Sequence, residues 1–214
     1  MNETIWTITP TSLPRITRHC SKCGCKSEFY CAEKFRLNSN GARLDIWLIY
    51  KCLKCDTTWK LTIKKGVRSH DLPTEIFNRL TNNDKLLAQQ YAFDRSLLKQ
   101  QECEIQYESV DYIVTGFETE CLREQLLVHI KCLYPFELKL STFLANMLGV
   151  SVSQIKKLAA DGLITANPEC NILKCKIKTH IDLQIELPAQ SDFNAITHGR
   201  QACFPSDGEP VVDT

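Results

Sequence analysis

The sequence predicts an α+β protein with an N-terminal β-rich module, a middle segment of helices and strands, and a small C-terminal α+β module. Three observations support this fold class. Two C-x-x-C motifs enclose a stretch of strand-like residues, apolar residues then recur at helical spacing, and two short helical patterns precede strand patterns in residues 138–185. At 214 residues, the chain is long enough for two or three small domains.

The first motif, Cys20-x-x-Cys23, recurs as Cys52-x-x-Cys55, with 28 residues between the inner cysteines. A tight turn at each pair would point both sulfur atoms at one ion, and two such pairs complete a tetrahedral site. We therefore predict that these four cysteines bind a structural Zn²⁺ ion, because four thiolates leave no open position for water or substrate. Iron in a rubredoxin-like site would use the same four thiolates.

The segment around these cysteines has the pattern of a three-stranded zinc ribbon. Residues 29–37 and 42–52 are strand-like and flank an Asn-Gly dipeptide, which is a strong hairpin signal. A third strand pattern, TTWKLTI, follows the second cysteine pair. Gly24 and Asp56 directly follow the two pairs, at positions where a tight turn commonly requires a positive φ.

The sequence also carries signals about the compartment. Its N-terminus has no pattern of a secretory signal, and no apolar run approaches the roughly twenty residues needed to span a bilayer. We therefore expect a cytoplasmic protein that has no membrane partner. In a reducing compartment, clustered thiols bind metal more often than they form disulfides. Cys25 and Cys31, which lie outside the two motifs, are predicted to be packed structural thiols.

Positive charge is concentrated in the first third of the chain. Residues 15–68 contain thirteen Lys or Arg and four Asp or Glu, whereas residues 69–136 contain six and eleven. A basic segment with interleaved aromatic residues is typical of surfaces that bind nucleic acid. The alternative is that the aromatic residues form the module's own core and the cations its solvated face. The candidate nucleic-acid contacts here are Arg36, Arg43, Lys51, Lys54, Lys60 and Lys64.

The middle of the chain predicts both helices and strands. Residues 71–101 have helical spacing and predict two helices, separated by the sequence TNND. Residues 110–117 and 125–133 are rich in Val and Ile and predict strands, within which His129 is interpreted as a packed or edge residue. The predicted domains are 1–68 for the ribbon with an N-terminal arm, 69–134, 135–188, and a flexible tail at 189–214.

Residues 14–100 resemble a bacterial family of uncharacterised cytoplasmic proteins that share a domain of unknown function. The matching residues are the first cysteine pair and the segments EKFRLNSN, LDIWLIYKC and CDTTWKLTI. This resemblance implies no activity.

Residues 138–185 contain two short helical patterns, a DGLI turn and small strand patterns, and they resemble the S4 RNA-binding domain. In that family, the paired helices present basic and polar side chains to the RNA backbone. The resemblance implies that the C-terminal module is S4-like and that Lys139, before the first helix, contacts RNA. Along the second helix it implies the same role for Ser151, Ser153, Gln154, Lys156 and Lys157.

The same segment also resembles a helix-turn-helix. Gly149 would then lie in the turn, and residues 152–160 would form the recognition helix that reads duplex DNA. A third alternative is that the apolar residues of these helices simply form a small α+β core.

Together these features predict a zinc-stabilised, non-catalytic protein that binds structured RNA or the ribosome. The alternatives are a protein-interaction adaptor with a structural zinc site and a helix-turn-helix regulator that binds duplex DNA. We do not expect an enzyme, because the sequence has no phosphate-cradling glycine loop, no nucleophile elbow and no His-rich open metal site. Thiol chemistry at Cys25 or Cys31 is the remaining catalytic route.

Overall fold

The computed structural model describes residues 2–116 and 125–186, so the predicted tail at 189–214 lies outside the described residues. The chain divides into two compact units. One unit, here called the inserted unit, is Ser12–Asp111. The other, here called the split unit, contains the described residues on both sides of that insertion, namely 2–11, 112–116 and 125–186. Each unit contains one five-stranded sheet.

Strands and helices are numbered separately, each in chain order. The strands are β1 Asn2–Pro10, β2 Arg15–Cys20, β3 Cys25–Asn40, β4 Arg43–Cys52, β5 Thr58–Arg68, β6 Glu104–Gln106, β7 Tyr112–Thr115, β8 Gln125–Cys132, β9 Ile164–Asn167 and β10 His180–Glu186. The helices are α1 Thr74–Thr81, α2 Lys85–Ala92, α3 Arg95–Gln100, α4 Leu140–Leu148 and α5 Val152–Ala160. None of the helices in the described ranges is long and apolar enough to cross a membrane.

The sheet of the inserted unit is antiparallel, in the order β5-β4-β3-β2-β6. Its central hairpin is the predicted one, because Asn40 pairs with Arg43 across a two-residue turn at Gly41 and Ala42. Gly41 has φ 60°, the left-handed conformation that this kind of turn requires and that glycine adopts at low cost. The predicted third strand also forms, as β5.

Three short helices cover one face of that sheet. Leu48 and Leu61 of the sheet pack with Ala88 and Ala92 of α2 and with Leu98 of α3. The sequence predicted two helices in this segment, and the structure has three, because the second prediction is divided before α3. At that break the Asp94 carboxylate accepts a hydrogen bond from Leu97 N at 3.0 Å, which starts a new helix.

The sheet of the split unit has the order β7-β1-β8-β10-β9. Strand β1 is parallel to β8 and antiparallel to β7, so the first strand of the chain lies inside the sheet. Buried residues of β1 and α4 pack against each other. The rings of Trp6 and Phe143 are edge to face, with their centres 6.1 Å apart. Helix α4 ends at Gly149, which has φ 65°.

The predicted fold class is wrong. Residues 2–116 and 125–186 are mostly β, with 45% strand and 26% helix, and they form two multi-stranded sheets rather than a series of small α+β modules. The ribbon strands belong to a five-stranded sheet, and the strands of the expected S4-like module complete a sheet with β8 and β1. Local sequence patterns identified most of these strands, but they carry no information on partners more than a hundred residues away.

Candidate metal centre and basic sheet face

The four cysteines of the two C-x-x-C motifs meet at one end of the inserted unit's sheet. Their sulfur atoms all lie within 4.8 Å of one another. Cys20 Sγ is 3.6 Å from Cys55 Sγ, and Cys23 Sγ is 3.9 Å from Cys52 Sγ. The structure therefore brings together the four residues that the spacing predicted as ligands.

Each cysteine pair lies on a tight turn that the backbone closes with a hydrogen bond. Gly24 N donates to Cys20 O, and Asp56 N donates to Cys52 O, both at 2.9 Å. Gly24 has φ 68° and Asp56 has φ 56°, so the positive φ predicted at both positions is confirmed. The two turns therefore share the same closing hydrogen bond and the same positive φ after the second cysteine.

These distances fit a tetrahedral metal ion. A zinc–sulfur bond of about 2.3 Å gives a sulfur–sulfur edge of about 3.8 Å in a regular tetrahedron, and the two measured edges lie within 0.2 Å of that length, at 3.6 and 3.9 Å. Cys20 and Cys52 are buried, and Cys23 and Cys55 are half-buried. Four thiolates can therefore enclose one ion without leaving a coordination position to solvent.

Thr57 favours the thiolate form at one of the four positions. Its hydroxyl oxygen is 3.1 Å from Cys55 Sγ, and the hydrogen bonds from Thr57 lower the pKa of Cys55 to about 6. The pKa of Cys23 is raised, chiefly because its thiol is hydrogen-bonded to Cys55. Since metal ions bind thiolates, the contact with Thr57 favours metal binding at Cys55.

Cys25 and Cys31, the two remaining cysteines of this region, lie outside the four-sulfur group. Cys31 is opposite Tyr50 in the sheet, and burial raises the pKa of its thiol to about 12. This agrees with the packed thiol predicted at this position. Cys25 is exposed, so the packing predicted for it is wrong. It is the first residue of β3, next to the cysteine turn, where the core ends.

Four of the predicted nucleic-acid contacts share the sheet face opposite the helices. Alternate residues of β4 are buried, so Leu48 and Tyr50 point toward α2 and α3, and the residues between them point away. The strand register places Arg36 opposite Trp47, Lys60 opposite Ile49 and Tyr30 opposite Lys51. We call this surface the basic face; it consists of Tyr30, Arg36, Arg43, Trp47, Lys51 and Lys60.

The basic face combines cations with two aromatic rings. Lys60 Nζ lies 5.0 Å from the centre of the Trp47 ring, and 37% of Tyr30 is exposed. The other aromatic residues of the segment belong to the opposite face; Tyr50 and Trp59, for example, pack with ring centres 5.7 Å apart. The alternative that the aromatics form the core therefore holds for these, and it does not hold for Trp47 and Tyr30.

Three cations of the basic face are exposed and unpaired. Lys51 is bound to Asp56 at 2.8 Å, whereas Arg36, Arg43 and Lys60 have no ion pair among the residues that the structure describes. The other two predicted contacts of this unit lie elsewhere. Lys54 is on the second cysteine turn, and Lys64 follows an irregularity in the pairing of β5 with β4.

The six contacts predicted from the S4 resemblance lie in the split unit. Lys139 is the residue before α4, and Lys156 and Lys157 are exposed on α5. Ser151 and Gln154 bind each other at the start of α5, where Ser151 Oγ accepts from Gln154 N at 3.2 Å. Ser153, between them, is exposed. A capping role for Ser151 and Gln154 was missed, although the S-x-x-Q spacing is its signal.

The split unit also contains a group that was not predicted: His129, His180 and Asp182, whose ligand-type atoms lie within 4.8 Å of one another. His129 had been interpreted as a packed or edge residue. The signal was weak, because only the His-x-Asp spacing in β10 places two of these residues on one face.

Comparison with known proteins identifies a family that includes most of this chain. Residues 37–170 match the family described as "Protein of unknown function (DUF1062)". No curated protein and no solved structure matches the chain.

Proposed function

The chain belongs to the DUF1062 family of proteins of unknown function, and we propose that it is a zinc-stabilised, non-catalytic protein. In this proposal, it binds RNA through the basic face. The cytoplasm is the compartment we propose for it, because it keeps the four thiols reduced and contains the RNA. The observation that carries the proposal is the combination of exposed, unpaired cations with Trp47 on one sheet face.

Zinc is the ion we assign to the four cysteines. Their sulfur–sulfur distances of 3.6 and 3.9 Å match a closed tetrahedral site, and Zn²⁺ is the usual occupant of four thiolates that belong to a small domain. The role of the ion is structural, because it joins the turn before β3 to the turn after β4.

RNA is the ligand we assign to the basic face. Unpaired bases stack on exposed aromatic rings, while neighbouring cations contact the phosphates. Trp47 has Arg36 beside it in one neighbouring strand and Lys60 5.0 Å from its ring, so one nucleotide could stack while its flanking phosphates are neutralised. Duplex DNA offers no unpaired base to such a sheet face, which is why we favour RNA with single-stranded loops.

Zinc binding is tested by metal analysis of the purified protein after a weak chelator has removed loosely bound ions. We expect one zinc ion per chain, and X-ray absorption should show four sulfur ligands at about 2.3 Å. The double variant Cys52→Ser/Cys55→Ser should lose that ion, whereas Cys25→Ser should keep it. Equal zinc content in both variants would show that the four cysteines do not form the site.

RNA binding is tested by titrating zinc-loaded protein with an RNA hairpin, single-stranded RNA and duplex DNA at low and moderate salt. The variant Arg36→Glu/Lys60→Glu should weaken RNA binding more than tenfold. For every phosphate that is no longer neutralised, the slope of log K against log salt should fall by about 0.7. The matched control Lys85→Glu/Lys99→Glu makes the same charge change on α2 and α3 and should bind RNA nearly as well as the wild type.

The remaining outcomes separate the alternatives. An equal weakening in both double variants would mean that net charge, and not the basic face, determines affinity. Preference for duplex DNA would support the helix-turn-helix alternative, with Lys156 and Lys157 as the next residues to replace. Absence of binding to any nucleic acid would refute the proposal and favour the protein-interaction adaptor.

A further inference from the structure

The geometry points to a second metal site, in the split unit, where His129, His180 and Asp182 form an open two-histidine, one-carboxylate site for a divalent transition-metal ion such as Zn²⁺ or Co²⁺. This site is independent of the four cysteines and of the basic face. It also contradicts the expectation from the sequence that no open histidine site exists.

The three residues come from two neighbouring strands. His129 of β8 and Asp182 of β10 are directly opposite each other in the antiparallel ladder. His180 precedes Asp182 by two residues in β10, so its side chain lies on the same face of the sheet. The buried residues of both strands alternate with these three, and the group therefore lies opposite the core.

One carboxylate oxygen lies between the two imidazole rings. Asp182 Oδ1 is 2.6 Å from His129 Nδ1 and 2.8 Å from His180 Nε2. The two rings are nearly parallel, with an interplanar angle of 13° and centres 6.3 Å apart. Both rings thus present a nitrogen to the same oxygen, so the three ligand atoms converge on one point.

The distances suit a metal ion after a small adjustment. Metal–nitrogen and metal–oxygen bonds of about 2.1 Å separate neighbouring ligand atoms by about 3.0 Å in an octahedron and about 3.4 Å in a tetrahedron. The two contacts of Asp182, at 2.6 and 2.8 Å, are closer to the octahedral separation than to the tetrahedral one, and both are shorter than it. The carboxylate must therefore rotate to admit an ion.

Glu3 places a second carboxylate against His129, on the ring nitrogen that the metal would not use. Its Oε1 atom is 2.9 Å from His129 Nε2, on the side of the ring away from Asp182. A carboxylate that accepts a hydrogen bond from one imidazole N–H keeps the proton on that nitrogen and leaves the lone pair on the other, and metal-binding histidines characteristically have such a partner. When a metal ion replaces the proton between His129 and Asp182, Glu3 would act as a positioning residue, because it holds the remaining proton on Nε2 and leaves the Nδ1 lone pair for the ion.

Exposure determines the type of site. The side chains of His129 and Asp182 are 22% and 25% exposed, whereas that of His180 is 49% exposed. An ion can therefore enter from solvent while two of its ligands are held in the sheet. Three protein ligands leave coordination positions for water or an anionic oxygen, unlike the closed four-cysteine site.

The test is a titration of the full-length protein, already loaded with one zinc ion at the cysteines, with Co²⁺ or Zn²⁺ in a calorimeter. We expect a second equivalent to bind, without growth of the thiolate-to-cobalt charge-transfer absorption. His180→Ala and Asp182→Asn should each weaken this second equivalent more than 100-fold, and Glu3→Gln should weaken it about 10- to 100-fold. The control His70→Ala removes an exposed histidine that faces a single carboxylate, Asp71, and should change nothing.

A measurement on the wild-type protein avoids dependence on the variants. Substoichiometric Mn²⁺ should broaden the NMR signals of β8 and β10 around His129 and Asp182 before any others. The proposal is overturned if no second equivalent binds, if His180→Ala and Asp182→Asn bind it as tightly as the wild type, or if Mn²⁺ broadens other signals first. Each of these results would leave the group as an ordinary network of ion pairs.

Discussion

In the first turn of α5, the exposed residue Ser151 has a structural role as the N-cap of the helix. Ser151 Oγ accepts from Gln154 N, and Gln154 Oε1 accepts from Ser151 N at 2.8 Å. This capping box satisfies two amide groups that the start of a helix leaves without partners. Resemblance to an RNA-binding family predicted both residues as RNA contacts, and their hydrogen bonds give them a separate role in stability.

Replacing Ser151 with alanine should therefore destabilise the split unit. We expect Ser151→Ala to lower the free energy of unfolding by about 1 kcal/mol, the usual cost of losing an N-cap, as measured by urea denaturation. Ser153→Ala is the matched control, because Ser153 is exposed in the same turn and should change stability by less than about 0.5 kcal/mol. An equal loss of stability in both variants would argue against the capping account.

At the scale of the single element, strand β4 shows how alternation gives a sheet one buried face and one solvent-facing face. Its even-numbered residues from Leu44 to Cys52 are buried, and its odd-numbered residues include Trp47 and Lys51 of the basic face. The sequence predicted this strand and its hairpin, because the Asn-Gly turn and the alternating pattern are both local signals. It did not predict the division of the second helix, since the helical spacing continues across Asp94.

The two faces of β4 should respond differently to truncation. Leu48 is fully buried against α2 and α3, so Leu48→Ala should lower the free energy of unfolding of the inserted unit by about 2–5 kcal/mol. Ile49→Ala removes a half-buried side chain of similar size from the other face and should cost much less. Thermal or urea unfolding of both variants measures the difference, and a larger destabilisation at Ile49 would contradict the assigned orientation.

At the scale of the whole molecule, the cysteine site and most strands could be predicted from the sequence, whereas the pairing of distant strands could not. The cysteine site was predictable because four ligands in two short motifs are recognisable by spacing alone. The His129 group was not, because it forms only when β8 and β10 pair, fifty residues apart. The same reason explains the wrong fold class: strand β1 was predicted as part of an arm, and its partners β7 and β8 come after the whole inserted unit.

The division into two units predicts a selective effect of metal removal. If the proposed zinc ion joins the two cysteine turns, a strong chelator should unfold the inserted unit and leave the core of the split unit around Trp6 and Phe143 in place. Amide hydrogen exchange before and after chelation measures this. Loss of protection should be confined to residues 12–111, with β8 and β10 still protected. Uniform loss of protection over both units would show that they unfold as one.

The position of β1 inside its sheet has a consequence for the order of events during synthesis. This strand leaves the ribosome before the inserted unit, and its hydrogen-bonding partners β7 and β8 are made about a hundred residues later. Ser12 and Asp111, the two ends of the inserted unit, are already joined by a hydrogen bond of 2.8 Å from Asp111 N to Ser12 Oγ. Folding of residues 12–111 would thus shorten the effective loop between β1 and its partners, so that a nascent chain which acquires its metal early also closes its second sheet sooner.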